Sequence, residues 1–147
     1  ERRMESMIAR AQKNPQSMTP EDRAQMESYA IEAQQLQTAE LANFKRDAGY
    51  APDNAIVQYR YGLALYRSGL IAEAVIALQH VHQLEPQTPL YMVALARLLQ
   101  TTGQLEEALK IAQKLIKIEP QHQEFVEELQ TQIEQRNPAA PDPAPNE

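Results

Sequence analysis

The chain has 147 residues, enough for one domain with a substantial core. Hydrophobic residues make up 43% of it but aromatics only 5%; Trp and Cys are absent and Gly is scarce, while Ala, Leu, Gln and Glu abound, a helix-former's composition. The lack of cysteine excludes a disulfide framework and a thiolate metal site, and a net charge of −6 argues against a duplex nucleic-acid binder, which needs clustered Lys and Arg to displace counterions.

The opening residues, Glu-Arg-Arg-Met-Glu, contain no signal peptide; they read as a piece cut from a longer protein or a processed form, and no localisation is assigned from them. Residues 1–15 predict an N-terminal amphipathic helix from Arg2 to Lys13 bearing Met4, Met7, Ile8 and Ala11, ended by Asn14-Pro15. Thr19-Pro20-Glu21-Asp22 is a helix start resembling a capping box. From there to Ala48 no residue breaks a helix. Either the chain turns near Gln34 to Thr38, or one helix runs on far beyond the usual ~11–12 residues. No stretch approaches the roughly 18 consecutive apolar residues of a membrane span, the best candidate, Ile71 to Leu78, being broken by Glu73.

Residues 55–88 carry apolar or small side chains at helical spacing: Ile56, Val57, Tyr61, Gly62, Ala64, Leu65 and Tyr66. Ser68-Gly69 ends that helix, Gly supplying the left-handed cap. A second helix presents Ile71, Ala74, Val75, Leu78, Val81 and Leu84, and Pro86 stops it. Residues 89–122 do the same again. Thr88 is the N-cap candidate and Pro89 the first helical residue. Tyr91, Leu95, Leu98 and Leu99 face inward, and Thr102-Gly103 makes the turn. Leu105, Ala108, Leu109, Ala112, Leu115, Ile116 and Ile118 form the next helix, ended by Glu119-Pro120. Residues 123–136 predict a closing helix with Phe125, Val126, Leu129 and Ile133 inward and Glu124, Glu127, Glu128, Gln132 and Glu134 outward. Residues 137–147 are Pro-rich and predicted to be disordered.

Gly69 and Gly103, Ala74 and Ala108, and Pro86 and Pro120 each lie 34 residues apart. That period is the mark of a helical repeat array. The two units resemble tetratricopeptide (TPR) repeats: a large residue then a small one in the first helix (Tyr61-Gly62, Leu95-Ala96), Gly at the turn, Glu-Ala early in the second helix (Glu73-Ala74, Glu107-Ala108) and acid-Pro at the end (Glu85-Pro86, Glu119-Pro120). Gly62 is expected to cross Ala74, and Ala96 to cross Ala108, so that the paired backbones approach closely. The family's early Trp is missing, with Gln58 and Met92 in its place. Residues 19–54 look like a degenerate preceding repeat, with Phe44 and Ala51-Pro52 in register but Gln35 where the turn glycine belongs and Glu40 where a small residue belongs. The resemblance implies an all-α fold, a right-handed α-solenoid of helix-turn-helix repeats (an alpha-alpha superhelix), which presents a surface to a partner.

Chemistry is sparse. His80 and His82 are two apart on a helix and point to different sides, so they cannot share an ion as an i, i+4 pair does. His122 has no partner nearby in sequence. No phosphate-binding glycine loop, nucleophile elbow or haem-attachment motif is present. Glu106-Glu107 and Glu127-Glu128 read as solvated surface. An enzyme is not expected, nor is a cofactor or a metal.

In the family, the groove is lined by the second, fifth, ninth, twelfth and thirteenth positions of a repeat. Carried over, these are Ile56, Tyr59, Leu63, Tyr66 and Arg67, then Leu90, Val93, Arg97, Gln100 and Thr101, an apolar-aromatic patch edged by arginines. Packing against a neighbouring repeat, or against the N-terminal helices folded into the groove, is the alternative role for the aliphatic members Ile56, Leu63, Leu90 and Val93. The clamp with which some TPR domains grip two carboxylates is not expected, since its positions hold Gln25, Tyr29, Arg60, Leu90 and Ala94 and only Arg60 fits. The expected function is a protein-interaction module, within a larger protein, that takes a peptide or helix with apolar anchors and an acidic residue for Arg67 or Arg97. The rival readings are a non-catalytic accessory domain of a larger bacterial protein, for example one with a multihaem cytochrome part, and self-association into a homo-oligomer.

Overall fold

The computed structural model describes residues 2–14 and 18–137; the proposed helix stop at Pro15, the side chains of Met4 and Met7, and the Pro-rich tail from residue 138 lie outside the described residues. Those described form helices and connections without a strand: α1 (Arg2–Lys13), α2 (Pro20–Tyr50), α3 (Ala55–Arg67), α4 (Ile71–Leu84), α5 (Pro89–Thr101), α6 (Leu105–Leu115), a 3-10 turn at Pro120–His122, and α7 (Gln123–Arg136). The chain divides into two compact units, Glu1–Ala42 and Asn43–Glu147.

In the first unit, Thr19 and Asp22 cap α2 reciprocally. The Asp22 amide donates to the Thr19 hydroxyl at 3.1 Å, and the Thr19 amide donates to the Asp22 carboxylate at 3.3 Å. The open question about residues 20–48 resolves as one unbroken helix of 31 residues. Its physical cause is visible in the repeat register. Gln35 stands where Gly69 and Gly103 reverse the chain, and no non-glycine residue in the described chain adopts positive φ. Glu40 stands where Ala74 and Ala108 are completely buried, and a carboxylate there would resist burial.

In the second unit, Asn54 caps α3 by accepting from the Val57 amide at 3.2 Å. Both hairpin turns are Schellman motifs. Gly69 and Gly103 sit at φ 76° and 77°; the Leu70 amide donates to the Leu65 carbonyl at 3.0 Å and the Gln104 amide to the Leu99 carbonyl at 2.9 Å. Pro89 occupies the first turn of α5, but its N-cap Thr88 does not cap with its side chain, because the hydroxyl donates to Glu85 at 2.9 Å instead. The helix expected to reach Ile118 ends at Leu115. The Ile118 amide bonds three residues back, to Leu115, and Ile118 is exposed.

Helices α3 and α4 pack as one hairpin and α5 and α6 as the next; α4 lies against α5, and α6 against α7. The core holds Val81, Met92, Leu95, Leu99, Leu115 and Leu129, all at or below 2% exposure. A Cβ built on Gly62 would meet Leu78 at 3.0 Å and Ala77 at 3.4 Å, so α3 and α4 approach closely at this glycine. Ala74, and Ala96 and Ala108 of the next hairpin, are completely buried.

The two residues replacing the family's Trp diverge. Met92 is buried as core. Gln58 is buried too, and its amide donates to the carbonyls of Ala48 at 2.8 Å and Ala51 at 3.2 Å, satisfying the end of α2. His80 Nε2–H adds a 2.9 Å bond from α4 to the carbonyl of Pro52.

Candidate interaction surface

The first helix of each hairpin supplies this surface. A hollow of about 160 Å³ opens between α3 and α5, lined by Leu63 and Tyr66 from α3 and by Ala94, Arg97, Leu98 and Thr101 from α5, with Leu78 at its floor. Four of the ten residues expected to line the groove therefore share one cavity. Two more, Ile56 and Leu90, occupy equivalent repeat positions and stand 55% and 57% exposed, so neither is consumed by packing. Arg67 is also exposed, and Val93 is half-buried.

Tyr59 is half-buried. Its ring lies 5.0 Å from that of Tyr91, centroid to centroid, against a core cluster of Ala55, Val81 and Tyr91. Burial, with Glu85 and Tyr59 beside it, pushes the Tyr91 hydroxyl above its usual range.

Arg97 and Gln100 are engaged by the chain itself. Arg97 donates to Glu128 of α7 at 3.2 Å and to Gln100 at 3.2 Å, and its guanidinium lies 3.9 Å over the Phe125 ring. Gln100 donates to Glu128 at 2.8 Å and to Gln132 at 3.2 Å, and the Thr101 hydroxyl donates to the Arg97 carbonyl at 3.0 Å. Arg97 is thus paired within the chain, with Glu128. Glu128 is exposed, as its place on the outer face of α7 predicts, yet it reaches α5. Nothing in the local pattern of α7 separates Glu128 and Gln132 from Glu127, because their partners lie about thirty residues away on α5.

Charge is distributed unevenly around the hollow. Helices α3 and α5 carry Arg60, Arg67 and Arg97 and no Asp, Glu or Lys, in a chain of net charge −6. The histidines do not converge. His80 bonds to the Pro52 carbonyl, His122 lies 3.0 Å from Glu119, and the Nδ1 of half-buried His82 has no hydrogen-bond partner. Burial, then the nearby Lys114, pushes the His82 imidazole below its ordinary range. Among the described residues no group of three metal-ligating side chains occurs, and no helix is long and apolar enough to cross a membrane.

Residues 91–122 match the family model described as tetratricopeptide repeat. The crystal structure of the Sgt2 TPR domain from Aspergillus fumigatus is similar in fold, with a TM-score of 0.61 at 21% identity over 88% of this chain and 89% of that one. No curated protein matches the sequence. TPR repeats form a non-catalytic, protein-interaction fold. Residues 91–122 thus match a tetratricopeptide repeat, and the described residues have the all-α helical fold seen in a TPR domain.

Proposed function

We propose that the face shared by α3 and α5 binds a segment of a partner protein, extended or helical, that pairs apolar anchors with carboxylates. The observation that carries this reading is the hollow lined by Leu63, Tyr66 and Arg97, on two helices that also expose Ile56 and Leu90 and carry three arginines and no acid. Such a surface complements an acidic, partly apolar chain and repels a basic one. The Arg97–Gln100 pair already holds one carboxylate, that of Glu128, with the geometry a partner's acid would use.

The test is selection from a random peptide library displayed against the whole chain. Recovered peptides are expected to combine Asp or Glu with Leu, Ile, Phe or Tyr, and to lose binding to a Leu63→Glu variant. Basic or featureless consensus sequences, or binding indifferent to Leu63→Glu, would contradict the reading.

A further inference from the structure

The chemistry that suits the α3–α5 face occurs elsewhere in the chain itself. Helix α2 displays two large aliphatics, Ile31 at 51% and Leu36 at 66% exposure. Each stands about one helical turn after a glutamate, in the pairs Glu27–Ile31 and Glu32–Leu36, so acid and aliphatic share a face. From Pro20 to Ala42 the helix carries Glu21, Asp22, Glu27, Glu32 and Glu40 against a single base, Arg23. The same spacing recurs with the opposite charge on the first helix of each hairpin, as Leu63–Arg67 on α3 and Val93–Arg97 on α5. There the aliphatic comes first and the charge follows a turn later. The two patterns therefore match when the helices run antiparallel, glutamate against arginine and aliphatic against aliphatic. Ile31 and Leu36 of the one surface, and Ile56 and Leu90 of the other, all stay exposed in the single chain.

We propose that the α3–α5 face takes the exposed stretch of α2 from a second copy of the chain, laid antiparallel to α3 and α5; the proposal rests on that face being the docking site for apolar, acidic segments. Ile31 and Leu36 lie about 140° apart around α2, so a helix seated between α3 and α5 turns one acid–aliphatic pair toward each of them. Charge selects this pairing over the other ways two copies could meet. Against α2, an acid-rich helix, stand three arginines with no acid on their helices. Two α2 helices face to face would set acid against acid, and two α3–α5 faces would set arginine against arginine. The contact is therefore heterologous, each copy offering one surface of each kind.

One helix in a groove is a small interface, so association is weak and concentration-dependent. Sedimentation velocity over a concentration series of the whole chain reads it, and the mass is expected to rise above that of the monomer. Leu36→Glu on α2 and Tyr66→Glu in the hollow, both at exposed positions, should keep the melting temperature and each hold the chain at monomer mass. Glu27→Lys/Glu32→Lys should weaken association at least about tenfold. The most specific readout is a mixture. Each single variant keeps the surface that the other has lost, so equimolar Leu36→Glu and Tyr66→Glu chains should associate although neither does so alone. A parent chain still monomeric at about 1 mM overturns the proposal. So does association that survives Leu36→Glu, or a mixture that stays monomeric. If the parent is monomeric but library-selected peptides bind it and not Leu63→Glu, the α3–α5 face stands as a docking site and its occupant is another protein.

Discussion

The four glycines show how one residue type serves different physical ends. Gly69 and Gly103 have open space around them, yet their φ of 76° and 77° disfavours any Cβ. Gly69→Ala and Gly103→Ala should each lower stability by about 1 kcal/mol, seen in chemical denaturation. Gly49 also has open space but lies within a helix at negative φ, so Gly49→Ala should raise stability by about 0.5 kcal/mol. Gly62 is limited by packing: Gly62→Leu, pressed on Leu78 and Ala77, should cost about 1–3 kcal/mol. His82 adds a pH dependence. Its folded-state pKa lies below the ordinary 6.5, so the unfolded chain takes the proton first. Its contribution is complete above that value and is lost as pH falls through it. Thermal melts from pH 8 down to 5 should therefore decline less steeply in His82→Gln than in the parent chain.

At the scale of elements, the sequence specified hairpins wherever a glycine dictates reversal. Gly69 and Gly103 marked both turns, and Pro89 and Thr19 marked helix starts, because each acts within a few residues. Asn54 could have been read as a cap from its place before an apolar run. The span from Gln34 to Thr38 was undecidable, since those residues are adequate helix formers that neither require nor forbid a turn. Packing partners were less legible than elements. The contact of Gly62 with Leu78 and the link of Glu128 to Arg97 are not legible in the sequence, because both depend on how helices meet. The unbroken α2 is directly measurable. Spin labels at Glu27 and Ala42, within the first unit, should lie about 22 Å apart along a straight helix, whereas a hairpin would bring them to about 10 Å.

For the molecule, the repeat register produces two first helices side by side, and their composition differs from the rest of the chain. Acidic residues collect on α2 and α7, while α3 and α5 carry arginine alone among charged residues. Tyr59 is half-buried and packs on the core at Tyr91, so Tyr66 and Leu90 are the better probes of binding. Glu128 competes with an incoming acid for Arg97. The pair is exposed and worth about 0.2–1 kcal/mol, so Glu128→Gln should tighten binding of an acidic segment only about 1.5- to 5-fold in a fluorescence titration. The most direct test of the whole account is a calorimetric titration of a library-selected peptide into the parent chain and into Tyr66→Ala/Leu90→Ala. The account predicts affinity at least about 30-fold weaker in the double variant, the effect of losing a hot-spot side chain, with an unchanged melting temperature. Equal affinity in the two proteins would contradict it.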